Sequence, residues 1–177
     1  TDVAPTSFAL ENAASIRAKS PYGIRFTANI SAADYEKLTQ TQGSSVEFGM
    51  LICPSDYVTE ENPLDMDATT GTMTEYVAGI TTDVVNTYQK KKVESLVEVR
   101  DNENNLIGYN YCGALTGIQQ NNLARPFTAV GYIEYKASAE ATPVVYYTAP
   151  VSRAIYSVAT YAAVDTTENY GADVLTF

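Results

Sequence analysis

The chain reads as mainly β, an antiparallel β-sandwich or covered sheet with a short helix near 31–38 and a C-terminal helix near 150–163. Three observations predict this. Apolar and polar residues alternate over short runs through most of the 177 residues. Turn-forming clusters such as Ser20-Pro21-Tyr22-Gly23 and Asp101-Asn102-Glu103-Asn104-Asn105 separate those runs. The apolar period becomes helical only at two places, which fits helices packed on a sheet rather than alternating with strands. Nothing in the composition shifts abruptly, so residues 13–177 read as one module built on one core. Residues 1–12 read as a linker-like N-terminus, because Thr1-Asp2-Val3-Ala4-Pro5-Thr6-Ser7 is polar and carries a proline.

In the first hairpin Ala14, Ile16, Ala18, Ile24, Phe26, Ala28 and Ile30 occupy even positions, while Ser15, Arg17, Arg25, Thr27 and Asn29 are odd. One face is therefore apolar and the other polar. Ser31 then N-caps a short helix, with Asp34 at the capping-box position. Val46, Phe48, Met50 and Ile52 alternate with Glu47, Gly49, Leu51 and Cys53 in a third strand. Placed beside the second strand, it puts Glu47 on the polar face with Arg17 and Arg25. The expectation is that this carboxylate ties the two arginines together. Leu51 and Cys53 share that face and predict a second layer over part of it.

Pro54 to Thr74 reads as loop, and Glu75 to Ile80 as a strand-like run. Val93 to Arg100 returns through the Asp101–Asn105 turn into Leu106–Cys112, and Thr116 to Pro126 is a second loop. Phe127–Lys136 and Val144–Thr148 are two more strands. Val151, Ala154, Ile155, Val158, Ala159 and Ala162 then recur at helical spacing, with Thr148 as expected N-cap and Pro150 in the first turn.

Charge and residue inventory exclude several function classes. A net charge of -10 argues against nucleic acid as a partner, since phosphate binding needs clustered Lys and Arg. The one basic run, Lys90-Lys91-Lys92, reads as a solvated turn or edge. No apolar run is long enough for membrane insertion as a helix. The chain has no histidine, which removes Ser-His-Asp and Cys-His nucleophile pairs and histidine-bound zinc. Two cysteines are too few for a cysteine-only zinc site, and whether Cys53 and Cys112 pair or stay free is open. What is left is carboxylate chemistry: Glu47, Glu98 and Glu134 lie in strands, without a spacing that brings two of them together. No cofactor is expected. The one candidate ion is calcium at Asp65 and Asp67, although Gly71 falls one place late for an EF-hand loop and Tyr76 stands where its glutamate belongs.

Fourteen tyrosines and no tryptophan make tyrosine the available stacking surface for a sugar or an apolar partner. Tyr109 and Tyr111 share one face of their strand, and Tyr132 and Glu134 share another. These four are the candidate ligand-binding residues; the alternative is that they fill half-buried strand positions.

The ordered set ASIR (14–17), YGIRF (22–26), VEFGMLICP (46–54), LARPFTAVGYIEY (123–135) and VSRAIYSVA (151–159) spans most of the chain. It resembles an uncharacterised β-rich module of large secreted or cell-surface proteins of anaerobic gut bacteria, some of them fibre-degrading. The resemblance implies export, a cellulosome-like accessory role near carbohydrate-handling or adhesive machinery, and neighbouring modules of a larger protein as partners. Arg17, Arg25, Arg125 and Arg153 fall in the matching motifs, where they resemble scaffold positions. Cys53 and Cys112 do not belong to the pattern, so the resemblance lends their pairing no support. The expected function is a noncatalytic extracellular module that binds a polysaccharide or other glycan, or is adhesive. The alternatives are a structural spacer or protein-interaction module and, third, a carboxylate-based glycoside hydrolase.

Overall fold

The computed structural model describes residues 2–67, 73–74, 83–84 and 88–164. In chain order the elements are β1 (Ala9–Leu10), β2 (Ser15–Arg17), β3 (Tyr22–Ser31), α1 (Ala32–Thr39), β4 (Ser45–Pro54), β5 (Met73–Thr74), β6 (Asp83–Val84), β7 (Gln89–Val93), β8 (Val97–Arg100), β9 (Leu106–Ile118), β10 (Phe127–Lys136), β11 (Val144–Tyr147), β12 (Val151–Arg153) and α2 (Ile155–Val164). Two antiparallel sheets face one another. The first runs β1-β3-β9-β8 with β2 also on β3; the second runs β11-β10-β4-β7 with β12 also on β10. β5 and β6 pair with each other. The strand-like run at 75–80 lies outside the described residues. No described helix is long and apolar enough to cross a membrane.

The parity of the first hairpin is the parity of the core. Ile24, Phe26, Ala28 and Ile30 of β3 are buried, as are Phe48, Met50 and Ile52 of β4 and Ala129, Ile133 and Tyr135 of β10. Each fully buried large side chain contributes on the order of 1.5–3 kcal/mol. Gly113 in β9 allows close approach of the sheets: a Cβ there would stand 2.6 Å from the Met50 sulfur. α1 forms where Ser31 stops the strand. Its Oγ accepts from the Asp34 amide at 3.2 Å, and Leu38 on the inner face is fully buried.

Two expectations are corrected at the ends of the chain. Residues 2–12 are part of the fold and not a linker: Val3 is buried, Phe8 stacks on Tyr111, and β1 pairs with β3. A distant carboxylate holds them. Asp34 accepts from the Thr6 amide (2.9 Å), the Ser7 amide (2.8 Å) and the Ser7 hydroxyl (2.6 Å). Local composition could not show partners 27 and 28 residues away. At the other end α2 begins at Ile155, because Val151–Arg153 pairs with Phe127–Ala129 as β12. Val151 fits either period and is buried as a strand residue. Thr148 is no helix cap; its hydroxyl accepts from the Gly131 amide at 2.9 Å, and Ser157 takes the capping role by accepting from the Ala154 amide at 3.3 Å.

The second sheet is covered on its outer face, as Leu51 and Cys53 predict. Leu51, Cys53, Val130 and Tyr132 pack under Leu64 of the segment that follows β4. Hydrogen bonds fasten this segment on both sides. The Met66 amide donates to the Tyr147 hydroxyl at 3.0 Å, and its carbonyl accepts from Tyr88 at 3.1 Å. Arg125 holds Asp56 through two bonds of 2.8 and 3.0 Å, which keep that carboxyl below its ordinary range.

Candidate functional site

Glu47 stands on the outer face of β4, near the start of the strand, with Gly49 next along that face. Gly49 is required there, because the Tyr132 ring from β10 lies directly over it where a Cβ would be. Crossing Gly49, Tyr132 brings its hydroxyl to Glu47 Oε1 at 2.8 Å. From the other side, β7 is an edge strand whose residues 90 and 92 point to the same face. Lys90 Nζ lies 3.3 Å from Oε1 and Lys92 Nζ 3.1 Å from Oε2. Lys90 also sits 5.4 Å from the Tyr132 ring centroid.

Partial burial alone would raise the Glu47 pKa, but the Tyr132 hydroxyl and the two ammonium groups outweigh it and hold the carboxyl below its ordinary value. Glu47 is therefore ionised at neutral pH. The same contact, added to burial, drives the Tyr132 hydroxyl upward, so it stays protonated and donating.

Beside this cluster a cleft of about 560 Å³ opens between the end of α1, the start of β4 and the turn after β7. Tyr35, Thr39, Ser44, Glu47, Lys92 and Ser95 are among its walls. Tyr35 is half-buried and braced by Phe48 (ring centroids 5.8 Å apart) and Tyr109 (4.0 Å). Val46, Phe48, Val93 and Leu96 also line it, so the cleft joins a braced aromatic, hydroxyls and a fixed ion pair to an apolar wall.

The positions of the expected site residues differ from the reading of the sequence in several ways. Arg17 and Arg25 lie on the exposed face of the first sheet, whereas Glu47 is in the second, so the expected bridge does not form. The reason is strand order: β3 pairs with β9, and β4 with β10 and β7. Tyr109 and Tyr111 point between the sheets. Tyr111 is 2% exposed and donates to the Gly49 carbonyl at 2.7 Å, and burial pushes its hydroxyl pKa up. Tyr132 is likewise fully buried, so neither can stack on a ligand in solution. Glu134 is directly opposite Glu47 in the β4–β10 register and half-buried.

At the calcium candidate, Asp65 Oδ1 accepts from the Asp67 amide at 2.9 Å, and among the described residues no three acidic or cysteine side chains cluster as a metal site. Asp101 uses its carboxylate on the amides of Glu103 and Asn105, closing the β8–β9 turn. Cys53 and Cys112 are both free thiols, on the outer faces of different sheets. Burial raises the Cys53 pKa to about 12.

Six residues of this arrangement escaped the sequence reading: Lys90, Lys92, Tyr35, Thr39, Ser44 and Ser95. The two lysines carried a signal, since residues two apart in a strand share a face and can grip one acid. Tyr35 carried none, because its partners come from β4 and β9. Comparison with protein-family models, with curated proteins and with solved structures finds no match.

Proposed function

We propose that this chain is a noncatalytic binding module of a secreted or cell-surface protein, that its ligand is a glycan, and that the ligand sits in the cleft beside Glu47. One observation carries the reading: a charged carboxylate, fixed by Tyr132, Lys90 and Lys92, at the wall of a cleft lined by Tyr35, Thr39, Ser44 and Ser95. Such a group accepts hydrogen bonds from sugar hydroxyls without reorganising, and Tyr35 offers a ring already braced against Phe48. A glycosidase role is disfavoured by the same geometry. A general acid needs a raised pKa, and Glu47 is lowered, with both oxygens in ion pairs.

The second reading is a spacer or protein-interaction module. It is favoured by Tyr111 and Tyr132 being buried in the packing instead of presented to solvent. A plant-polysaccharide and mucin glycan array, followed by calorimetry on any hit, tests the choice. Glycan binding weakened about tenfold by Glu47→Gln, the contribution of one charge-assisted hydrogen bond, and weakened as well by Tyr35→Ala, which removes the stacking ring, supports the cleft. A null array favours the spacer. Sugar release from a polymer would bring back the hydrolase.

A further inference from the structure

The outer face of the first sheet differs from that of the second. Ser15, Arg17, Arg25, Cys112 and Thr116 are exposed on it, with Thr27, Asn29 and Asn110 half-buried among them. The register lays these out in rows: Ser15 beside Arg25, Thr27 beside Cys112, Asn29 beside Asn110. Few bonds occupy them. Arg25 Nη2 donates to Ser15 Oγ at 3.4 Å, Thr27 Oγ1 lies 3.4 Å from Cys112 Sγ, and Asn29 Nδ2 donates to Glu11 at 3.2 Å.

The charges on this face are what set it apart. Acids outnumber bases 21 to 11 in this chain, and Lys37, Lys90, Lys92, Arg100 and Arg125 all sit against carboxylates. Lys91, Lys136 and Arg153, scattered over three strands of the second sheet, have no carboxylate at ion-pair distance among the described residues, and neither do Arg17 and Arg25, which stand together on adjacent strands of the first. An acidic protein thus keeps these two guanidinium groups on one face that also carries hydroxyl and amide side chains, with the carboxylate of Glu11 held by Asn29 at its edge.

We propose that this face binds an anionic polysaccharide, a polymer whose sugar rings carry carboxylates. Arg17 and Arg25 pair those carboxylates, whose two oxygens match the guanidinium fork, and Ser15, Thr27 and Asn29 hydrogen-bond the ring hydroxyls. A pleated face presents same-side residues about every 7 Å along a strand, a regular array for an extended polymer. A protein partner fits less well: the exposed Val97 stands on the edge strand of this face, opposite Asn110, while the rows that carry Arg17 and Arg25 hold no aromatic anchor of the kind on which protein interfaces are centred. The net negative charge repels a polyanion at long range, so binding is local and strongly salt-dependent. The site shares no residue with the cleft and stands whether or not the cleft takes a glycan.

Affinity electrophoresis through gels containing polygalacturonate, with neutral galactan as comparison, tests it. The expected result is retardation by polygalacturonate alone, abolished as salt rises to about 0.5 M, where screening is nearly complete. The Arg17→Gln/Arg25→Gln double variant is expected to bind at least about tenfold more weakly. That variant keeps its melting temperature and any neutral-glycan binding at the cleft, so failure here and failure of the cleft are distinguishable. The proposal is overturned if the wild type is not retarded, if the double variant is retarded equally, or if polyglutamate retards the protein as strongly as polygalacturonate.

Discussion

Replacing Asp34 by alanine should release the N-terminal segment and cost more stability than breaking any of the exposed ion pairs. Asp34 is 3% exposed, and its Oδ2 accepts from the amides of Thr6 and Ser7 and from the Ser7 hydroxyl. Lys37 approaches the other oxygen at 3.1 Å, but that lysine is 51% exposed and contributes little. Thr6 and Ser7 are themselves exposed, so water reaches the amides that alanine frees, and the loss is the net value of the bonds to Asp34, about 1 kcal/mol each and about 2–3 kcal/mol together. At roughly 2–4 °C per kcal/mol for a protein of this size, the melting temperature should fall by about 4–12 °C. Differential scanning calorimetry gives the number. Hydrogen exchange should show the amides of residues 6–10 losing protection first, because β1, Val3 and Phe8 are held by the same carboxylate.

Asp34→Asn separates charge from hydrogen bonding, since its oxygen can still accept the two amides, and about 1–2 kcal/mol should be lost. The pH dependence gives a second readout. Burial would raise the Asp34 pKa, but the Ser7, Lys37 and Thr6 donors hold it well below the ordinary 3.8. A lowered folded-state pKa means the unfolded chain takes up the proton first. This stabilisation is therefore complete above the ordinary value and is lost as pH falls from there through the lower folded-state value. The wild type should lose stability steeply below about pH 4, and Asp34→Asn should flatten that slope. A melting temperature within about 2 °C of wild type for the alanine variant, or an unchanged acid slope for the asparagine variant, would refute the reasoning.

Gly49→Ala should destabilise by about 2–3 kcal/mol through collision with the Tyr132 ring, read as a lowered midpoint in urea, and the double variant Gly49→Ala/Tyr132→Leu should recover part of it. Arg25→Met should leave stability within about 0.5 kcal/mol, because the side chain is exposed and makes one long bond to Ser15. Ellman's reagent should titrate one thiol quickly, Cys112, and the second only in denaturant, since Cys53 is buried and its thiolate is suppressed.

Much of the fold was legible because alternation is a local signal. The hairpin of β2 and β3, the cap of α1 and the spans of β10 and β11 all follow from residues within a few positions of one another. Strand order was not legible. β4 presents one apolar and one mixed face, and either sheet could have taken it; only the pairing of Glu47 and its neighbours with long-range partners in β10 decides. The site was hidden for the same reason. Parity correctly grouped Tyr109 with Tyr111 and Tyr132 with Glu134, but it cannot say which face is covered. Tyr132 is buried because a segment from beyond β4, fixed by Arg125, Tyr88 and Tyr147, lies over it.

This covering segment also explains why the two arginines and Glu47 have such different roles despite lying in similar strand motifs. On the second sheet, apolar Leu51, Val130 and Tyr132 draw a layer over the outer face, and a carboxylate at the margin of that layer loses water and must find donors. Lys90 and Lys92 supply them from the edge strand, which also places charge on an edge that would otherwise pair with another chain. On the first sheet the corresponding positions are Thr27, Asn29 and Cys112, too small and polar to attract a cover, so Arg17 and Arg25 remain hydrated and need no acid. Glu47 is thus committed to the scaffold and the cleft, and the arginines are left available. Ligand binding on the two faces should accordingly separate by salt: weakly dependent at the cleft, where the charges are already paired, and steep over Arg17 and Arg25.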